Sequence, residues 1–126
     1  MGDRLAPNSQ AVAEALGYLE REACRARRGH GGVVQVQGRG FVGAAFLHRT
    51  SRAGDPLLHT HVVAGNLTQG PDGRYTALDA RHLYRHAKTA GYLYQSVLRC
   101  EISDPWELGG SRSPTEWPIW LVCPGR

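Results

Sequence analysis

Three histidines at a fixed spacing constrain this chain more than any other feature: His48, and then His59 and His61 with one residue between them. In a strand, residues i and i+2 share a face, so a strand over Leu57–Thr68 sets His59 and His61 side by side. Phe41–His48 also reads as a strand, with Val42, Ala44, Phe46 and His48 on one face. The polar stretch Arg49–Pro56 between them holds the turn formers Ser51, Gly54 and Asp55-Pro56. An antiparallel hairpin over these segments brings His48 beside the pair and aims three imidazoles at one point. Neutral imidazoles suit a borderline divalent cation such as zinc and leave positions open for water or substrate. The competing reading is that these are ordinary surface or core histidines. The spacing alone does not separate the two.

The rest of the composition narrows the setting. The chain has 126 residues, enough for one modest domain, and is 41% hydrophobic and 21% charged, which fits a globular chain rather than a disordered one. Fifteen basic against eleven acidic residues give +4. Nearly all the bases are arginine, whose planar fork suits phosphate, although genome base composition accounts for the bias equally well. No apolar run is long enough to span a bilayer, and the first residues lack a signal-peptide core, so a cytoplasmic location with no membrane partner is the expectation. Cys24, Cys100 and Cys123 are odd in number and form no Cys-x-x-Cys pair, which argues against a disulfide framework or thiolate metal site.

Taken in order, residues 1–8 read as a leader, and Asn8 or Ser9 is placed to cap a helix running to about Arg28. Val12, Leu16, Leu19 and Ala23 recur at helical spacing on its buried face. Arg25, Arg27 and Arg28 would then complement the dipole in its last turn. Cys24 and Cys100 are expected inside helices as small buried residues. Gly29-His30-Gly31-Gly32 is a connector with His30 exposed. Val33–Gln37 reads as a strand, Gln69–Gly73 as a tight turn and Arg74–Ala77 as the returning strand. Asp79 is placed to cap a second helix from Ala80 to about Glu101, with Leu83, Ala87, Ala90, Tyr94 and Val97 as its buried stripe. His82, Arg85, His86 and Lys88 fall off that stripe and read as solvated, with a DNA backbone contact as the sharper alternative. Gly91 permits close packing. After Glu101 the character changes: Trp106, Trp117 and Trp120 lie among prolines without period. The organisation expected is a domain over 1–101 and a divergent Pro/Trp-rich tail over 102–126, for which a frame read-through is the favoured cause.

The motif His48-Arg49-Thr50-Ser51-Arg52, followed by Asp55-Pro56-Leu57-Leu58-His59-Thr60-His61-Val62-Val63, resembles the three-histidine motif of conjugative relaxases of the TrwC/TraI (MobF) type, within the HUH endonuclease group. The resemblance continues through Asn66-Leu67, Gly70-Pro71-Asp72-Gly73-Arg74, Ala77-Leu78-Asp79 and Leu83–Lys88 to about Glu101. Upstream it takes in Leu19–Glu22 and Arg27–Gly32. It covers about four fifths of the chain, and its motif spacing is specific.

The resemblance implies an α+β fold: a partial palm-like antiparallel sheet of three to four strands with helices packed on one face. It implies a divalent metal (Mg, Mn or Zn) on His48, His59 and His61, and single-stranded or hairpin DNA at a transfer origin as partner. In that chemistry the cation polarises a scissile phosphate and a tyrosine hydroxyl attacks it, leaving a 5′-phosphotyrosine. Arg49 and Arg52, beside the histidines, are expected to neutralise the bound phosphodiester; the alternative is a hairpin loop held by arginine contacts to Asp55.

No catalytic nucleophile carries across. In the family it comes from an N-terminal tyrosine cluster, and the surroundings of Tyr18 do not match that cluster. Tyr75, Tyr84, Tyr92 and Tyr94 follow the histidines and read as packing residues. The expectation is therefore the metal-binding half of a relaxase, inactive alone, with open sheet edges and a need for self-association or a complementing fragment. A non-catalytic, metal-dependent single-stranded DNA-binding module is the alternative. A metal hydrolase using Asp55 as general base is a third reading.

Overall fold

The computed structural model describes residues 5–102. Two helices, α1 (Leu5–Ala23) and α2 (Ala80–Ile102), pack against each other, and six strands lie between them in sequence. The strands are β1 (Arg25–Arg28), β2 (Val34–Gln37), β3 (Gly43–Thr50), β4 (Pro56–Ala64), β5 (Thr68–Gln69) and β6 (Tyr75–Thr76). The α+β class and the antiparallel pairing are as expected. The strands form three separate pairs, β1–β2, β3–β4 and β5–β6, where one sheet of three to four strands was expected. Between the pairs, among the described residues, only an isolated bridge, Ala26 to Leu78, and single backbone hydrogen bonds such as Arg39 N to Gln69 O form, too few to merge them into one ladder.

The first helix is shorter at its end and longer at its start than its sequence suggests. It stops at Ala23 because Arg25–Arg28 is a strand, not a final helical turn. The backbone there is used on both edges. Ala26 pairs with Val36 on one side and bridges to Leu78 on the other, while Arg27 N donates to Ala77 O at 2.9 Å and Asp79 N donates to Arg25 O at 2.8 Å. A helix through Arg28 would leave those partners unmet. At the other end Asn8 lies inside α1, 3% exposed, and is no N-cap. It donates to Thr60 Oγ1 at 2.9 Å and accepts from Tyr94 OH at 2.9 Å, joining α1, α2 and β4.

The core is small. Leu19, Ala23 and Ala90 form its centre, with Tyr18, Phe41 and Leu83 packed around them. Gly91 is buried, in keeping with close helix packing, and Cys24 is buried just after α1; Cys100 on α2 is exposed, against expectation. His86 is only half exposed, and its Nδ1 lies 2.7 Å from Tyr18 OH across the helix pair. Tyr75, Tyr84 and Tyr92 are exposed rather than packed; of the tyrosines after the histidines, Tyr94 alone is half-buried.

The start of α2 is as its sequence suggests. Asp79 Oδ1 accepts from Arg81 N at 3.2 Å, which caps a first-turn amide. The same carboxylate takes both arms of the Arg81 guanidinium and the Gln35 amide, tying α2 to β2. Those Arg81 hydrogen bonds hold Asp79 well below the usual range, at about 2, with burial pushing the other way.

Candidate metal centre

β3 and β4 pair in antiparallel register, with Phe46 opposite His61 and His48 opposite His59. Directly opposed residues project to the same face, so all three imidazoles stand on one side of the hairpin. One ring nitrogen from each lies within 4.8 Å of the others. The ring centroids are 4.6 to 5.3 Å apart.

The register slips once beyond His48. His48 pairs with His59 and Thr50 with Pro56, which leaves Leu57 and Leu58 together opposite Arg49. This is a bulge on β4, a device that re-aims neighbouring groups. Here it brings the Leu57 carbonyl within 3.1 Å of His59 Nδ1. A carbonyl only accepts, so Nδ1 carries the proton and the lone pair of His59 lies on Nε2. That Nε2 lies 3.1 Å from His61 Nε2. In that tautomer His61 Nε2–H donates to His59 Nε2, and an ion replacing that proton would need the pair to open only slightly, to the about 3.3–3.4 Å between two imidazoles on one tetrahedral cation. His48 and His61 are exposed, and His59 is half-buried between them and the strand. The donor set fits a divalent metal; nothing in it selects one. No feature of the sequence foretold the bulge, although Pro56 at the first position of β4 is where proline is tolerated in a ladder.

The tip of the hairpin is organised by Ser51. Its hydroxyl accepts from the amides of Ala53 and Asp55, each at 3.2 Å, and its own amide donates to Asp55 O at 2.9 Å. Gly54 completes the turn at φ +86°, a conformation glycine adopts freely. Arg49, at the end of β3, and Arg52, within this turn, are exposed. The ion pairs among the described residues lie elsewhere, at Arg28–Asp72 and Arg81–Asp79, so the arginine–Asp55 contact considered for the loop is not seen. Asp55 is exposed at the tip.

The opposite face of the hairpin looks towards the helices. Thr60 bonds Asn8, and a cavity of about 160 Å³ lies between Leu16 and Glu20 of α1 and Gly43, Ala45, Val62 and Ala64 of the hairpin. The helices thus sit behind the histidines, leaving the imidazole face open among the described residues. Of the histidines off the site, His82 bonds Gln35 at 2.8 Å and His30 is exposed in its connector. No helix among the described residues is long and apolar enough to cross a membrane.

Two helices behind an antiparallel hairpin that displays three convergent imidazoles define a domain of the three-histidine relaxase class. The family model of the TrwC relaxases matches residues 5–110, and the chain belongs to that family. Among solved structures, it is 32% identical to a metal-bound conjugative relaxase TrwC in complex with oriT DNA, with a TM-score of 0.71 over 78% of this chain and 34% of that one. It is likewise 32% identical to a copper-bound TrwC–oriT structure, with a TM-score of 0.72 over 79% of this chain and 34% of that one. A third, TrwC with a 27-mer comprising the recognition hairpin and the cleavage site, is 33% identical, with a TM-score of 0.70 over 77% of this chain and 35% of that one. The chain therefore spans about a third of the length of the solved relaxases it matches. No curated protein matches it.

Proposed function

We propose that this chain carries the metal site of a relaxase-type DNA-strand transferase, with His48, His59 and His61 as the ligands and Arg49 and Arg52 as contacts to the phosphodiester. The observation that supports it best is the convergence of one nitrogen from each histidine within 4.8 Å on the face turned away from the helices. When bound, a divalent ion there would act as a Lewis acid on a phosphoryl oxygen. The chain's own residues do the rest. Leu57 O orients His59 through its Nδ1, the β3–β4 ladder sets the spacing, and the Ser51 turn shapes the loop rim that bears Arg52, with Arg49 at the adjoining end of β3. Bidentate arginines at that rim would hold a phosphate in register without reading sequence.

The nucleophile in this reading comes from another segment or a complementing relaxase fragment. The hydroxyls of Tyr18 and Tyr94 are taken up by His86 and Asn8 in the packing of α1 on α2, which leaves both poorly suited to attack. The partner is single-stranded or hairpin DNA at a transfer origin, as in the solved relaxases of similar fold, and a cytoplasmic location goes with that role. The alternative outcome is a module that binds metal and single-stranded DNA and performs no chemistry. The test is a titration of the purified chain with Mn²⁺, Zn²⁺ and Mg²⁺ beside a His59→Ala/His61→Ala control, followed by nicking of a transfer-origin oligonucleotide with and without a tyrosine-bearing partner fragment. Saturable one-site binding lost in the control, with nicking only in the mixture, is expected. Equal binding by the control would overturn the ligand assignment, and metal and DNA binding without nicking in the mixture would favour the module.

A further inference from the structure

The imidazoles are not alone on their face. Phe46 is directly opposite His61 in the ladder and two residues before His48, so its ring shares the histidine side of the hairpin. It is 51% exposed; Val63, diagonal to it across the ladder, and Val42, further along the same face, are 61% and 49% exposed. The chain's other phenylalanine, Phe41, is packed against the core, so Phe46 is the one that forgoes burial. Directly opposed β-carbons stand about 4.5–5.5 Å apart, and two residues along a strand span about 6.6 Å. The Phe46 ring therefore lies about one nucleotide's reach from a phosphate held at the histidines.

We infer that Phe46 is a positioning residue on which the base next to the metal-held phosphate stacks, so that this face binds single-stranded DNA in two parts, phosphate on the histidines and base on the ring. The inference rests on the reading that the site takes a DNA phosphodiester. Along the hairpin the order is an apolar floor (Val42, Val63), the Phe46 ring, the three histidines, then Arg49 and Arg52 at the tip. Neither strand carries an aspartate or glutamate, so nothing on the ladder repels a polyanion. A second protein copy would meet the same uncompensated arginines and histidines on its own surface; a nucleic acid strand supplies both the anion and the flat π-face. Stacking of this kind tolerates any base, so Phe46 would add affinity and register but little sequence preference.

The experiment uses the full chain loaded with Mn²⁺, a short oligothymidylate, and an abasic oligonucleotide of the same length. Phe46→Ala should weaken oligothymidylate binding about tenfold while leaving the abasic strand and the Mn²⁺ titration unchanged. Phe46→Trp should restore oligothymidylate binding and so separates loss of the ring from loss of fold. Equal oligothymidylate affinity for wild type and Phe46→Ala, with Mn²⁺ binding intact, would overturn the inference and leave the proposed site standing. So would a Phe46→Ala variant whose only change is the loss of self-association in light scattering, which would make a second copy the occupant. Wild type that binds Mn²⁺ but neither oligonucleotide would remove the DNA reading of the site, and this inference with it.

Discussion

His48 and His59 face each other across the β3–β4 ladder, their ring centroids 5.3 Å apart in an edge-to-face arrangement. Residues eleven apart in sequence are made neighbours by one hairpin, and His61 joins them by the two-residue repeat of its strand. Every property of the candidate centre depends on that register, because a one-residue slip turns a histidine to the helix side.

The centre should therefore report metal as added stability. At a concentration about a hundred times Kd, a one-site ion stabilises the folded chain by about 2.7 kcal/mol. Thermal unfolding of wild type should shift upwards with Mn²⁺ or Zn²⁺, whereas His59→Ala/His61→Ala should show no shift. The same midpoint shift in the double variant would place the ion elsewhere.

Gly43 starts β3 where a Cβ would run into the Val63 carbonyl oxygen across the ladder. Gly43→Ala should splay the open end of the hairpin and cost about 1–3 kcal/mol, as overpacking does. Urea denaturation measures the loss. Metal affinity should fall in the same variant, since the histidines are placed by this pairing.

Asp79 gives the chain an acid limb. Its carboxyl is depressed to about 2 by the Arg81 hydrogen bonds, so its stabilising effect is complete above the ordinary carboxylate range and is lost as pH falls through about 2. Stability measured from pH 5 down to pH 2 should decline more steeply in wild type than in Asp79→Asn. At neutral pH Asp79→Ala should cost about 1 kcal/mol for the lost cap alone. Parallel acid limbs in wild type and Asp79→Asn would show that another carboxylate governs this range.

Tyr94→Phe deletes the hydroxyl that donates to Asn8 Oδ1. Asn8 is 3% exposed, so the stranded oxygen should cost about 1–3 kcal/mol. Asn8→Ala removes the oxygen together with its amide, and the double variant should be less destabilised than the sum of the two. Strict additivity in that cycle would mean the pair is not coupled.

Local patterns made much of this molecule legible. The His-x-His pair, the turn formers between Arg49 and Pro56, the Asp79 cap and the stripe of α2 all act over a few residues, where strand alternation, helical spacing and side-chain-to-backbone bonding govern. Those rules bring three histidines to one hairpin face and start α2 where it begins. The motif residues around the histidines also carried the family resemblance.

Other features depended on partners distant in sequence. Arg25–Arg28 scores as a basic helix end, yet Val36 and Leu78 claim Ala26 from two sides and make the segment a strand. Asn8 resembles a cap until Thr60 and Tyr94 bury it inside α1. His86 falls off the apolar stripe but meets Tyr18 across the helix pair. The bulge at Leu57 and Leu58, which turns a carbonyl onto His59 Nδ1, has no signature in composition or spacing. The sequence by itself determined which side chains could form the site, because local periodicity fixes the face each one takes. Only the tertiary structure decided the open front and the small core behind it, because those depend on hydrogen bonds and burial contributed by remote parts of the chain.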